Sequence, residues 1–331
     1  MKNLFIIRSP LQILNAYEAI AHFDLKHNVF LIVQNHLDKN NVQMKEMLSM
    51  CEYEELIEMP PSKSNYFRYV ALTRKLKKYH YNFVFFGNFG SFQKLLLANL
   101  EYKKSYLLED GTSTLVFHKE LCEDIQHISW RDMRFLFSGL HIKRKKPVAY
   151  FTIFDLERKG EEEIVQHGFN CLKKAKCDVF ASVEEVYFLG QCFVSADVVS
   201  YEAYLYYLQR VKNDFLNEKI VYIPHRAETI TTELRTLEDE HFRILENNMP
   251  IEMYFISNKI KPKYVVSFYS TALFTLAKIF DKTIVKSYAI CEKDLKAKRK
   301  ESALLVQYFL KKAGLEVGTV CYNQLQESSH V

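Results

Sequence analysis

Short apolar runs recur along this chain, and most are followed by a polar tract and then by a stretch with apolar residues at helical spacing. In the first half, residues 4–7, 29–33, 83–86 and 105–108 read as buried strands. Residues 11–22 and 91–100 read as helices, the first opened by Ser9-Pro10, a good cap and first-turn pair. The second half continues with strands at 179–181, 186–189, 220–223, 264–268 and 283–287. Helices are expected there at 201–217, 238–247, 271–280 and 298–312. Strands alternating with helices build parallel sheets covered on both faces, so the fold class is α/β.

A chain of 331 residues exceeds what one core usually supports, so two domains are expected. The pattern loses regularity in the charge-rich stretch 144–163, which places the domains at 1–155 and 156–331, with the last helix free to pack back on the first domain. Two Rossmann-like halves with parallel sheets facing a central cleft form the GT-B architecture, found in many glycosyltransferases. No apolar run approaches the roughly 18 residues of a membrane-spanning helix. The opening MKNLFIIRSPLQ has too short an apolar stretch for a signal peptide. Seven scattered cysteines with no CxxC pair point to reduced thiols in the cytoplasm and against a zinc site.

Net charge is +5, and the basic residues clump at 74–78, 143–146 and 296–300. Such clumps are ordinary solvated helix ends; alternatively they draw the protein to the anionic face of an inner membrane as a peripheral partner. No aromatic-interleaved basic groove accompanies them, so nucleic acid is not an expected partner.

Three tracts carry chemistry, each at the C-terminal end of an expected strand, the edge where open α/β sheets bind ligands. Glu109-Asp110-Gly111 offers a carboxylate that can act as general base, with Gly111 allowing a sharp turn; the competing reading is a plain Asp-Gly turn. His225 follows Pro224 and precedes Arg226, and a protonated imidazole there can offset or protonate a departing phosphate; the competing reading is a surface histidine. Ser270-Thr271 sits between a buried strand and an apolar helix, where hydroxyls and unpaired N–H groups attract an anion; simple capping by Ser270 is the alternative. Glu252 can accept two hydrogen bonds from a ribose diol, or else faces solvent. There is no GxGxxG after the first strand, no P-loop and no Asp-x-Asp tract, so neither a dinucleotide nor a resident metal is expected.

The order of EDG, YIPHRAE and SFYST, with the opening IIRSPLQILNAYEA, resembles the bacterial sialyltransferases of glycosyltransferase family 52, which act on lipooligosaccharide and capsule. The resemblance covers residues 4 to 290. It implies that Asp110 takes the proton from the acceptor, that His225, Ser270 and Thr271 hold the phosphate of CMP, with Arg226 beside them, and that Glu252 binds the ribose. Ser9, Gln12, Gly87, Asn88 and Glu109 are the candidates for lining the acceptor side. Arg226 stands where the family's His-Pro motif has its proline, and Thr271 where the family has a second serine.

The implied function is an inverting, metal-independent and cofactor-free transfer of sialic acid, or a related nonulosonic acid, from CMP-sialic acid. The implied acceptor is a terminal galactose-type residue of a lipooligosaccharide or capsule glycan. A relative using another nucleotide sugar, such as a hexosyltransferase, and a non-catalytic glycan- or nucleotide-binding component of an assembly complex are the alternatives. The sequence leaves a homo-oligomer open.

Overall fold

The computed structural model describes residues 1–61, 65–122, 128–158, 160, 162–176, 180–280, 282–317 and 322. The chain divides into two compact units, Met1–Ala175 and Lys176–Val331. Each is built on one sheet whose strand pairs are all parallel.

The first sheet comprises β1 (Lys2–Ile7), β2 (Asn28–Val33), β3 (Glu55–Met59), β4 (His80–Phe86), β5 (Glu101–Leu108), β6 (Ala149–Thr152) and β7 (Ile164–Gln166), in the order β3-β2-β1-β4-β5-β6-β7. Its helices are α1 (Pro10–His22), α2 (Asp38–Met47), α3 (Tyr66–Leu76), α4 (Ser91–Asn99), α5 (Thr112–Cys122), α6 (Trp130–Met133) and α7 (Asn170–Lys176). Central strands β1 and β2 are apolar nearly throughout, as burial on both sheet faces requires. Phe5, Phe30 and Phe85 stack ring on ring across β2, β1 and β4.

The second sheet comprises β8 (Ala181–Leu189), β9 (Ile220–Ile223), β10 (Phe242–Ile244), β11 (Ile260–Ser267), β12 (Ile284–Tyr288) and β13 (Glu316–Val317), in the order β10-β9-β8-β11-β12-β13. Its helices are α8 (Tyr201–Asp214), α9 (Thr232–Arg235), α10 (Ile251–Ser257), α11 (Ala272–Ile279) and α12 (Ala297–Lys312). In both sheets the order of strand addition reverses between the first and fourth strands, β1/β4 and β8/β11. In doubly wound folds the ligand crevice opens outside the strand ends at that reversal.

Three expectations need correction. The division between units falls after residue 175, not 155, because β7 pairs with β6 and so extends the first sheet. The expected helix at 238–247 is a turn followed by strand β10. Asp239 Oδ1 accepts the N–H groups of His241 and Phe242, and Glu238 accepts that of Ile244, so side chains take the donors a helix would use. The strands expected at 179–181 and 186–189 are one strand, β8, with residue 179 outside the described residues.

Cys51, Cys171 and Cys192 are free thiols, but Cys291 is in a disulfide, contrary to the expectation of fully reduced cysteines. Cys177 and Cys321 lie outside the described residues. Among the described residues no helix is long and apolar enough to cross a membrane. Several members of the basic clumps are engaged locally: Lys75 pairs with Glu55, Lys145 with Glu101, Lys296 with Asp197 and Lys300 with Glu292, while Arg74 and Lys146 donate to backbone carbonyls.

Candidate active site

At the first reversal, β1 ends at Ile7 and hands over to Arg8-Ser9-Pro10. Ser9 caps α1, accepting from the Gln12 amide, and its hydroxyl donates to Asp110 Oδ1 at 3.0 Å. The β1 and β5 ends are thereby tied together, although β4 lies between them. Gln12 crosses that gap: its Oε1 accepts from the Arg8 N–H at 2.7 Å, and its side chain lies where a Cβ on Gly87 would fall, 2.1 Å away. Gly87, just past β4, is therefore required by close approach. Gln12 Nε2 is buried with no partner among the described residues, an unmet donor at the crevice.

Asp110 itself is half-buried, its backbone N–H donating to Thr114 Oγ1 at 2.9 Å. Gly111 adopts φ 72°, a left-handed turn that glycine makes without strain. Beneath Asp110, Glu109 is fully buried and its Oε2 accepts from Thr152 Oγ1 at 2.5 Å. Burial pushes the Glu109 carboxyl up to about 8, with the neighbouring Asp110 charge adding to the effect. A neutral acid thus underlies the half-buried carboxylate, an arrangement that separates the roles of two adjacent acids. Glu109 supports the site rather than lining it. Asn88 belongs to the loop after β4, its Oδ1 lying over Gly90.

A cavity of about 510 Å³ opens at the same edge, lined by Arg8, Ser91, Gln93, Arg131 and Arg134 and by Val33 at the end of β2. Gln93 is 1% exposed, and its Nε2 has no partner among the described residues. Three guanidinium groups and an unmet amide donor make this a place for an acidic group.

In the second unit, His225 lies two residues beyond β9 in a turn closed by Glu228. Glu228 Oε2 accepts from the His225 N–H at 2.9 Å, while its Oε1 accepts from the hydroxyls of Tyr222 at 2.5 Å and Tyr204 at 3.1 Å. Burial raises the Glu228 carboxyl above its ordinary value, against the pull of those hydrogen bonds. Gly190, just past β8, makes room: a Cβ there would lie 2.4 Å from Glu228 Oε2 and 2.6 Å from the Tyr222 hydroxyl. The Ala227 N–H donates to His225 Nδ1 at 3.1 Å. That bond suits a neutral ring carrying its proton on Nε2, not the protonated imidazole expected from sequence, which would set two N–H groups against each other.

Ser270 Oγ accepts from the Ala272 N–H at 3.3 Å, and Thr271 makes no side-chain cap bond to α11. The hydroxyl pair thus divides, Ser270 serving the helix start. Ser267, in the same tract, is fully buried and donates to the Leu189 carbonyl at 2.6 Å, tying β11 to β8. Glu252 does not face solvent: it is 6% exposed, and its Oε1 accepts from Thr275 Oγ1 of α11 at 2.6 Å. Burial raises the Glu252 carboxyl, and the positive charge of Arg226 lowers it, so the loop after β9 and helix α10 meet electrostatically. Sequence reasoning did not assign Glu228 its supporting role, and it missed the two tyrosines and Gly190. Two signals were present, a Glu three residues after a strand-end His and a lone Gly directly after the apolar run VYFL. Among the described residues no group of three His, Cys, Asp or Glu side chains is placed to hold a metal ion.

A model of the family Alpha-2,8-polysialyltransferase (POLYST) matches residues 3–289. A search of curated proteins finds no match to the chain. Among solved structures, the chain is similar to a putative UDP-N-acetylglucosamine 2-epimerase from Listeria monocytogenes, at 10% identity and a TM-score of 0.49, over 94% of this chain and 87% of that one. It is similar to S. aureus MnaA with UDP at 9% identity and a TM-score of 0.48, over 96% and 83% of the two chains. E. coli heptosyltransferase WaaC with ADP is similar at 12% identity and a TM-score of 0.43, over 88% and 87%. At TM-scores below 0.5, these three likenesses carry no argument about the chemistry.

Proposed function

Because the chain belongs to the alpha-2,8-polysialyltransferase family, a family of sialyltransferases, we propose that it transfers sialic acid, or a related nonulosonic acid, from its CMP-activated form to a glycan hydroxyl. Family membership makes it a glycosyltransferase; the donor, the stereochemistry and the acceptor are our reading. The observation that carries this reading is Asp110, a half-buried carboxylate at the β5 end, oriented by the Ser9 hydroxyl and set over a buried neutral Glu109.

In this mechanism the acceptor O–H gives its proton to Asp110 as the oxygen bonds to the anomeric carbon. The bond from that carbon to the CMP phosphate breaks on the opposite face, inverting the centre. The transition state places little covalent demand on the protein, so positioning and stabilisation of the leaving phosphate dominate. His225 offers Nε2–H to that phosphate, its ring held by Ala227 and its backbone by Glu228. The start of α11 at Ser270-Thr271 supplies further donors, and Glu252, Arg226 and Thr275 form the group we assign to the ribose side. Such a set replaces a divalent ion at a monophosphate leaving group, and turnover in excess EDTA tests that.

The acceptor reading implied by the sequence is a galactose-type residue of a lipooligosaccharide or capsule. The arginine-lined cavity beside Asp110 and the family's name favour a second, a terminal sialic acid whose carboxylate enters that cavity. One assay separates the readings: CMP release from CMP-sialic acid, measured alone, with lactose and with sialyllactose. No release under any condition removes the sialyltransferase reading, and response to UDP-hexoses instead marks a hexosyltransferase. Preference for sialyllactose that Arg8→Met abolishes supports the acidic acceptor; preference for lactose supports the neutral one.

A further inference from the structure

The segment from Trp130 to Ser138 buries one aromatic and displays the rest. Phe135 is 1% exposed, in a small core with Val70, Leu95 and Leu140. Tyr66 stacks on Phe135, and its hydroxyl donates to the Arg134 carbonyl, which pins the segment to α3. Around this anchor, Trp130 is 84% exposed, Phe137 93%, Leu136 49% and Met133 41%, and Phe67, against Tyr66 on α3, is 81% exposed. Trp130 and Met133 lie in α6, and Leu136 and Phe137 in the 3-10 turn Arg134–Ser138 that continues it, so the four fall within nine consecutive residues. Soluble proteins rarely leave so many large apolar groups together in water without a use for them.

Charge identifies the occupant. Arg131 and Arg134 interleave with the apolar groups, and neither has an ion-pair partner among the described residues. In the basic clumps singled out from sequence, Lys75, Lys145, Lys296 and Lys300 are each held in a local pair. Exposed tryptophan and phenylalanine among arginines without a carboxylate partner among the described residues match the boundary between headgroups and acyl chains of an anionic bilayer.

We propose that the face formed by Phe67, Trp130, Met133, Leu136 and Phe137, with Arg131 and Arg134, docks on an anionic lipid bilayer surface. The apolar side chains enter the interface, and the two arginines meet lipid phosphates. Arg131 and Arg134 also line the cavity assigned above to an acidic acceptor, and Arg134 lies over the Tyr66 and Phe135 rings, so bilayer and acceptor would share these two side chains. The inference does not depend on the chemistry assigned to Asp110, and its test reads binding without turnover.

Trp130 is the chain's single tryptophan, so its emission reports directly on this face. Full-length protein is titrated with vesicles of phosphatidylcholine alone, or of phosphatidylcholine with an equal part of phosphatidylglycerol. The expected result is a blue shift and co-sedimentation with the anionic vesicles only, weakened by added salt. Phe137→Ser and Arg131→Glu should each lower partitioning about tenfold at an unchanged melting temperature, as both positions are exposed. Lys145→Glu should leave it within about twofold, since Lys145 is paired with Glu101. Absence of any shift overturns the proposal, as does an equal shift with neutral vesicles. A Lys145→Glu effect as large as that of Arg131→Glu overturns it in favour of diffuse charge attraction. Concentration-dependent self-association lost in Phe137→Ser, without lipid binding, overturns it in favour of a second copy of the chain.

Discussion

The two carboxyl edges at which the strand order reverses share a topology and differ in what lies beneath the residue at the crevice. In the first unit, Asp110 rests on a buried carboxyl pushed up to about 8, with threonine hydroxyls as its partners. In the second, His225 rests on a raised carboxylate, Glu228, saturated by two tyrosine hydroxyls and the histidine's own N–H. Each edge places a glycine beside the reversal to admit a long side chain, Gln12 over Gly87 and Glu228 over Gly190. The lesson is that equal strand order fixes where chemistry occurs, while the layer underneath decides which proton state faces the crevice.

The sharpest test of the contrast is Asp110→Asn, which should lower transfer roughly 10²-fold or more while CMP binding, which the proposed function assigns to the other unit, stays near wild type. Steady-state turnover beside calorimetric CMP titration reads both. Retention of a third of wild-type turnover would reduce Asp110 to a turn residue.

Glu109 gives the next effect, through pH. Its folded value of about 8 exceeds the ordinary 4.5, so between those values the folded protein holds a proton that the unfolded chain has released. Stability from this group is therefore full below about pH 4.5 and declines as pH rises towards 8. Glu109→Gln should match wild type near pH 5 and exceed it by about 2–4 kcal/mol near pH 8, as read from urea midpoints. A parallel pH dependence in wild type and variant would show that Glu109 is not held neutral.

Gly190→Ala should cost about 1–3 kcal/mol of stability, because its Cβ meets a saturated buried network that cannot retreat. Turnover should fall with it, since Glu228 holds the His225 backbone. Gly87→Ala displaces one glutamine and should cost less. If the order is reversed, the tyrosine-carboxylate network is the more yielding of the two. The smallest effect separates the hydroxyl pair: Ser270→Ala should lose about 1 kcal/mol of stability as a capping residue, and Thr271→Ala should lose less. Equal melting temperatures for the two would remove the division of labour drawn between them.

What was legible in the sequence followed burial. The central strands β1, β2, β4, β5, β9, β11 and β12 announce themselves as apolar runs because both of their faces are covered. Edge strands β3, β7 and β10 did not, being short and half-exposed; β3 reads ELIEM, with charges at 55 and 58. Burial was not enough for β6, which is internal and fully buried but only four residues long, directly after the basic tract 143–146, and the two-residue β13 was missed as well. The half-buried members of the site, Asp110, His225 and Ser270-Thr271, were readable as tracts at strand ends. Their supports were not, because contact between Glu109 and Thr152, or between Glu228 and Tyr204, joins residues far apart in sequence and exists only after folding.

Those supports also stay within their own unit. Ser9, Gln12, Thr114 and Thr152 all fall before residue 175, and Gly190, Tyr204, Tyr222 and Glu228 all fall after it. A lineage carrying this fold can therefore exchange or retune one half without rebuilding the buried scaffolding of the other. Under the proposed function, acceptor preference can drift by substitution or recombination within the first half while the nucleotide-handling half is inherited intact.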